Sequence, residues 1–302
     1  MNEMWAVFGG KLAERWVSVL LLPGLLYAGG AYVAQLLGHA HWWQLASVGA
    51  RLDGLREGAK GQGGGQLLLL TVVVLLASAT AGLAAQGLGR AAARVGVEPW
   101  GVWPAAPLTA RRRRRWDRAH AAYLTALREK ARRAARGLDT GGLDTAALGR
   151  ARDLVCLEEP CSPTWSGDRM AAAGTRVLRA YDLDLESAWP RLWLVVPEPV
   201  RAELVEAREK VDAAFRLLGW GVMYLLLGVM WWPALVIGGC TLAVAGRRER
   251  NALDAFATLV EAAADVHGRD LALCLGIPCE GAFTRETGAA VTRALQKPPH
   301  GG

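Results

Sequence analysis

Three long stretches without a charged side chain organise this chain. Residues 67–89 run for 23 positions without a charge. Residues 16–37 do so for 22, although Pro23, Gly24, Gly29 and Gly30 interrupt them. A hydrocarbon core about 30 Å thick takes roughly 20 apolar residues at a helical rise of about 1.5 Å each. Both stretches therefore predict membrane-spanning helices, the form in which a segment satisfies its own backbone amides in lipid. The third stretch, residues 217–246, is uncharged for 30 positions. One kinked helix would cross once, whereas a hairpin turning at Trp231-Trp232-Pro233 would return the chain to its starting side. Each hairpin arm would reach only about 20–24 Å. Basic residues nevertheless flank the stretch at both ends, with Arg208, Lys210 and Arg216 before it and Arg247, Arg248 and Arg250 after it. The flanks favour a hairpin or re-entrant segment.

The polar stretches between them read as helices and linkers. Leucines and valines at helical spacing in residues 42–57 predict a short helix lying on a membrane surface, followed by the glycine-rich linker GQGGGQ. Further helices are predicted near 143–157, 168–181, 200–215 and 251–275, with Asp168 or Ser166 as the cap of the second. The fold class is all-α: a multi-pass helical membrane protein with a helical cytoplasmic domain. Its segments are an N-terminal cytoplasmic piece (1–15), span one (16–37), an external loop (38–66) and span two (67–89). A cytoplasmic helical domain (90–215), a membrane hairpin or re-entrant segment (216–246) and a C-terminal helix with a disordered tail (247–302) complete it.

Charge orients this arrangement. Between Arg111 and Arg136 there are eleven Lys or Arg against two acids, Asp117 and Glu129. Cytoplasmic flanks of spans are rich in Lys and Arg, so span two ends inside and both termini are cytoplasmic. The N-terminal segment offers no convincing cleavage site, and span one reads as a retained anchor. Thirteen tryptophans against four phenylalanines suggest interfacial belts at Trp16, Trp42, Trp43, Trp220, Trp231 and Trp232. Arg111, Arg112, Arg113, Arg114, Arg115 and Arg118 are candidates for contact with anionic lipid headgroups or a partner. Alternatively the basic helix packs on the acidic face of the last helix, which carries Asp254, Glu261, Asp265 and Asp270. Its sparse aromatic residues argue against nucleic acid.

Candidate chemistry is thin. CLEEPC (Cys156, Cys161) and CLGIPC (Cys274, Cys279) share a C-x4-C spacing with Pro before the second Cys. Four thiolates are a zinc ligand set, but inert thiols are the ordinary state in a reducing cytoplasm. No cofactor is otherwise implied. His267 lies between Asp265 and Asp270 without an accompanying nucleophile, and no phosphate-loop, dinucleotide or hydrolase motif occurs, so no enzyme activity is expected. Trp165, Asp168 and Arg169 form either a ligand site or a structural corner, with Asp168 pairing to Arg169 or Arg176.

PTWSGDRM at 163–170, Tyr181, AWPRLW at 188–193 and WWPAL at 231–235 resemble a group of multi-pass membrane proteins of high-GC actinobacteria. The resemblance extends from about residue 100 onward and carries no activity with it. The expected function is a homo-oligomeric, channel-like or membrane-perturbing protein controlled by its cytoplasmic domain. The alternative is a membrane-anchored scaffold that recruits a cytoplasmic partner.

Overall fold

The computed structural model describes residues 21–37, 64–97 and 105–296, and among these it contains helices and no strand. The helices are α1 (Leu22–Leu37), α2 (Gly64–Val97), α3 (Ala105–Ala135), α4 (Thr145–Asp153), α5 (Trp165–Tyr181), α6 (Leu185–Val195), α7 (Glu198–Leu227), α8 (Pro233–Cys274) and α9 (Arg285–Leu295). They fall into two compact units. One comprises residues up to Ala92 together with Asp212–Arg248, and the other Ala93–Val211 together with Glu249 onward. The predicted surface helix at 42–57, Trp16, Trp42, Trp43 and the tail lie outside the described residues.

The first unit is apolar. Positions 68–77 of α2 are all exposed, Leu and Val on every side of the helix. Among the described residues α2 is the one helix long and apolar enough to cross a membrane, with mean hydropathy 2.3 over its most apolar stretch and 22% of that stretch buried. The core helix of a soluble protein would be mostly covered. Farther along, Ser78, Ala81, Gly82, Ala85 and Gly89 make one buried stripe of small residues, the pattern that lets helix backbones approach in lipid. A Cβ on Gly24 of α1 would overlap the Ser78 carbonyl oxygen, and one on Gly219 of α7 would overlap that of Ala85. Ser78 meets its own hydroxyl requirement by donating to the Val74 carbonyl at 2.7 Å.

The chain reverses between α7 and α8. Gly228 N–H donates to the Tyr224 carbonyl at 3.0 Å and Met230 N–H to that of Leu227 at 3.0 Å, after which Pro233 opens α8, the first helical position being one where its missing N–H costs nothing. The uncharged arms are Leu217–Leu227 and Pro233–Gly246, roughly 16 and 21 Å long at helical rise. Trp220 is not part of an interfacial belt: it is 9% exposed and packs with Ala81, Ala85, Tyr27 and Met223. The small α2 residues leave a hole that a large side chain must fill.

The second unit is amphipathic. Its core draws on Val177, Leu183, Leu192, Val196, Leu204, Val211, Leu253, Val260, Leu271 and Val291. α9 latches onto the connection between α5 and α6. Thr292 Oγ1 donates to the Asp182 carbonyl at 3.0 Å and accepts from Asp184 N–H at 3.0 Å, and Gly288 sits against the Tyr181 backbone.

Several predicted helix ends are displaced. The helix expected at 143–157 is Thr145–Asp153, capped by Asp144. That expected at 168–181 opens at Trp165, and its cap is Thr164, which accepts from Gly167 N–H at 3.1 Å, not Asp168 or Ser166. The helices expected at 200–215 and 251–275 are parts of the longer α7 and α8. Their apolar-to-polar junctions carry good helix formers, Arg216 in α7 and Arg247, Arg248 and Glu249 in α8, and the helix runs on through Gly246, so hydropathy changes there while the backbone does not.

Gly219→Val and Gly24→Val are expected to abolish or strongly lower cooperative unfolding of the purified protein, because carbonyl oxygens occupy the needed space. Gly29→Ala, with nothing within 4 Å of its added carbon, is expected to be neutral or stabilising by up to about 1 kcal/mol. Thermal melts followed by circular dichroism distinguish them.

Candidate functional site

The N-terminal turns of α5 carry the segment Ser166-Gly167-Asp168-Arg169, all four residues buried. Thr164 starts the helix and also donates its hydroxyl to the Gly96 carbonyl. Gly167 lies against the Ser162 side chain. Buried acids and bases must be paired or they cost several kcal/mol, and each charge here is paired across to another element.

Asp168 is 2% exposed. One carboxylate oxygen accepts from the backbone N–H groups of Cys161 at 2.8 Å and Ser162 at 2.6 Å. The other accepts from Arg112 of α3, through Nε at 3.2 Å and Nη2 at 2.8 Å. Position in the first turn of α5 adds the favourable end of the helix dipole. Arg112 Nη2 also donates to the Val155 carbonyl at 3.2 Å, and Trp116 Nε1 to that of Cys156 at 2.9 Å. With Arg179 bonded to both oxygens of Glu158 at 2.9 and 2.7 Å and Arg113 paired to Glu159, the 155–162 loop is clasped between α3 and α5.

Arg169, 4% exposed, faces α8. Its Nε donates to Asp254 at 2.6 Å, Nη1 to Glu261 at 3.0 Å and Nη2 to the Thr258 hydroxyl at 3.1 Å. Arg176 reaches the other Glu261 oxygen at 3.1 Å, and Ser166 donates to Glu249. Trp165 lies beneath Arg250, whose guanidinium carbon is 5.8 Å from the ring centroid.

These contacts correct the expected pairings. Asp168 is paired with Arg112, not with Arg169 or Arg176, because those two point about a quarter-turn round α5, to the acids of α8. The acidic face of α8 is met by Arg169 and Arg176, not by the basic helix. The seven-residue spacing of Arg169 and Arg176 matches that of Asp254 and Glu261, a signal present in the sequence but not used. Of the six arginines assigned to headgroups or a partner, Arg112 and Arg113 are engaged inside the unit. Arg111, Arg114, Arg115 and Arg118 are exposed on α3.

The two C-x4-C segments are structurally unlike. Cys274 is the last residue of α8. Its segment is a helix cap: Gly276, at φ 74°, allows Ile277 N–H to reach the Ala272 carbonyl at 2.9 Å. Cys156 and Cys161 bracket the clasped loop. Cys156 and Cys279 are buried, Cys161 and Cys274 exposed, and all are free thiols. Among the described residues no three His, Cys, Asp or Glu side chains gather as a metal-holding group. Burial, reinforced by nearby Asp168, pushes the Cys156 thiol up to about 11. His267 Nδ1 contacts Asp270 at 3.1 Å, one helical turn on.

Comparison with family models, with curated proteins and with solved structures returns no match. The arrangement around Asp168 and Arg169 is therefore read from its own chemistry. The four donors aimed at Asp168 occupy both carboxylate oxygens, so this carboxylate positions the loop and helices around it.

Asp168→Asn is expected to lower stability by about 3–5 kcal/mol, since it leaves Arg112 without its counter-charge and sets an amide NH2, a donor, against either the Arg112 donors or the two backbone N–H groups. Arg169→Met should cost less, because Asp254 is 59% exposed and Glu261 keeps Arg176. Chemical denaturation of both variants checks the order. The Cys156 thiol binds its proton more tightly in the folded state than at the ordinary value of 9.0. Its contribution to stability is complete below pH 9 and declines as pH rises from there to about 11. Cys156→Ala should flatten unfolding free energy across that window.

Proposed function

We propose that this chain is a membrane-anchored helical scaffold whose charged unit docks an acidic segment of a cytoplasmic protein on the outward face of α3. The observation that carries the anchoring is the exposure of apolar side chains on every side of α2 over positions 68–77. Such a surface in water would cost about 25 cal/mol for each Å² left uncovered; in lipid it is matched. The short arms of the α7–α8 hairpin suit a segment that enters the membrane and returns, which keeps the residues before and after it in one compartment. The basic run after α2 supports a cytoplasmic assignment for that compartment.

The docking face rests on charge. Arg111, Arg114, Arg115 and Arg118 recur on one side of α3, and none has an ion-pair partner among the described residues. Arg112 and Arg113, which point to other sides of the helix, are already paired with Asp168 and Glu159. Uncompensated positive charge on a fixed helix favours an acidic partner through association rate and specificity. This reading assigns the protein no catalytic step.

Protein in neutral-lipid nanodiscs is expected to bind a fluorescent oligoglutamate peptide, with affinity falling as salt rises. Replacing Arg111, Arg114, Arg115 and Arg118 together by Gln should weaken it at least about tenfold, equivalent to about 1.4 kcal/mol; equal binding by the variant sinks the docking face. Reconstituted into dye-filled liposomes, the protein should retain the dye. Release would favour the oligomeric channel-like reading instead. A thiol introduced as Asn251→Cys, with Cys161, Cys240 and Cys274 replaced by Ser, should react with an impermeant reagent only after cells are opened.

A further inference from the structure

A cleft of about 530 Å³ opens beside the ion-pair centre, within the charged unit and away from the exposed face of α3. Its walls combine Trp165 and Leu157 with Leu154, the last standing 80% exposed at the rim. Its size falls in the range of small-molecule sites. The charges lining it are not balanced. Asp153 is held by Arg152 at 2.6 Å and Asp254 by Arg169 at 2.6 Å, so both acids are already neutralised. Arg150 makes no ion pair among the described residues. Arg250 lies over Trp165, its guanidinium carbon 5.8 Å from the ring centroid, and makes no ion pair among the described residues. A cation–π contact does not use up the guanidinium's N–H donors, and its N–H fork suits the paired oxygens of a phosphate or carboxylate. Arg169, also on the lining, spends three of its five N–H donors on Asp254, Glu261 and Thr258.

We infer that this cleft binds an amphipathic anion, a phosphate monoester or similar group with an apolar body. The anionic group sits between Arg150 and Arg250, and the apolar body covers Trp165, Leu157 and Leu154. The indole supplies a flat apolar surface to the ligand on the side that Arg250 leaves open, and burying Leu154 adds a hydrophobic gain that a bare anion cannot collect. The inference stands apart from the docking reading, since it uses none of the exposed α3 arginines. The same chemistry is offered by an anionic lipid and by a free organic phosphate.

Dihexanoyl phosphatidic acid, which is monomeric in water, tests it by titration calorimetry on the full chain in neutral-lipid nanodiscs. Saturable binding of one molecule per chain is expected. Arg150→Gln with Arg250→Gln should weaken it at least tenfold, as should Leu154→Asp; both alter exposed side chains, and circular dichroism verifies that each variant is folded. Arg111→Gln with Arg114→Gln should leave it unchanged. Dihexanoyl phosphatidylcholine, with the same tails and no net charge, should bind at least tenfold more weakly, and so should inorganic phosphate. Hexyl phosphate binding as tightly as the diacyl compound would identify a free organic phosphate as the ligand; weaker binding would identify the lipid. The inference is overturned if no saturable binding occurs, if the Arg150/Arg250 variant binds like the parent, or if the zwitterionic lipid or bare phosphate binds equally well.

Discussion

A carboxylate that is 2% exposed cannot be left without donors, and the charged unit is arranged around supplying them to Asp168. Two come from the backbone of the 155–162 loop and two from Arg112. Meeting that one requirement ties α3 to α5 through Arg112 and fixes the loop between α4 and α5. The neighbouring residue, Arg169, carries the opposite charge to a different side and sets the register of α5 on α8. Two consecutive residues on a helix point about 100° apart, so one dipeptide joins three elements. Thr164 and Gly167 serve the same end by starting α5 at the residue that brings both side chains to their partners.

The apolar unit is held by the reverse principle. It contains no charge to pair within its uncharged arms and relies on direct backbone contact, made possible by Gly24, Gly219 and the small stripe from Ser78 to Gly89. Small residues at these positions let the backbones come into direct contact, so close packing holds the helices together. Large side chains such as Trp220 then fill what the small ones leave. α7 and α8 each pass from one regime to the other without a break in hydrogen bonding. A helix is indifferent to its solvent provided its backbone is satisfied.

Much of this was legible one element at a time. Hydropathy and helical periodicity locate the apolar stretches, and the Trp-Trp-Pro sequence marks the reversal before α8. The helix ends expected near 215 and 250 share one cause, since apolar and polar residues meet there while the helix continues. The two C-x4-C segments share a spacing but not a local structure. A shared spacing holds in sequence alone, whereas CLGIPC is a glycine-capped helix end and CLEEPC a loop held by arginines from two helices. Trp165 illustrates the limit best. Sequence offered a ligand site or a structural corner, and the fold divides the motif, with Asp168 in the corner, Trp165 on the wall of the adjoining cleft and Arg169 shared between them.

Local composition by itself determined that this chain is helical, that α2 is long and apolar enough to cross a membrane, and that a basic helix follows it. Those properties depend on neighbours within a turn or two, and a linear pattern records them. Which arginine meets which acid was decided by the tertiary structure alone. Arg112 and Asp168 are 56 residues apart and Arg169 and Glu261 are 92 apart. Pairing over such separations is set by which helix faces are buried together, and burial is what turns an ordinary surface charge into a constraint the whole unit must satisfy.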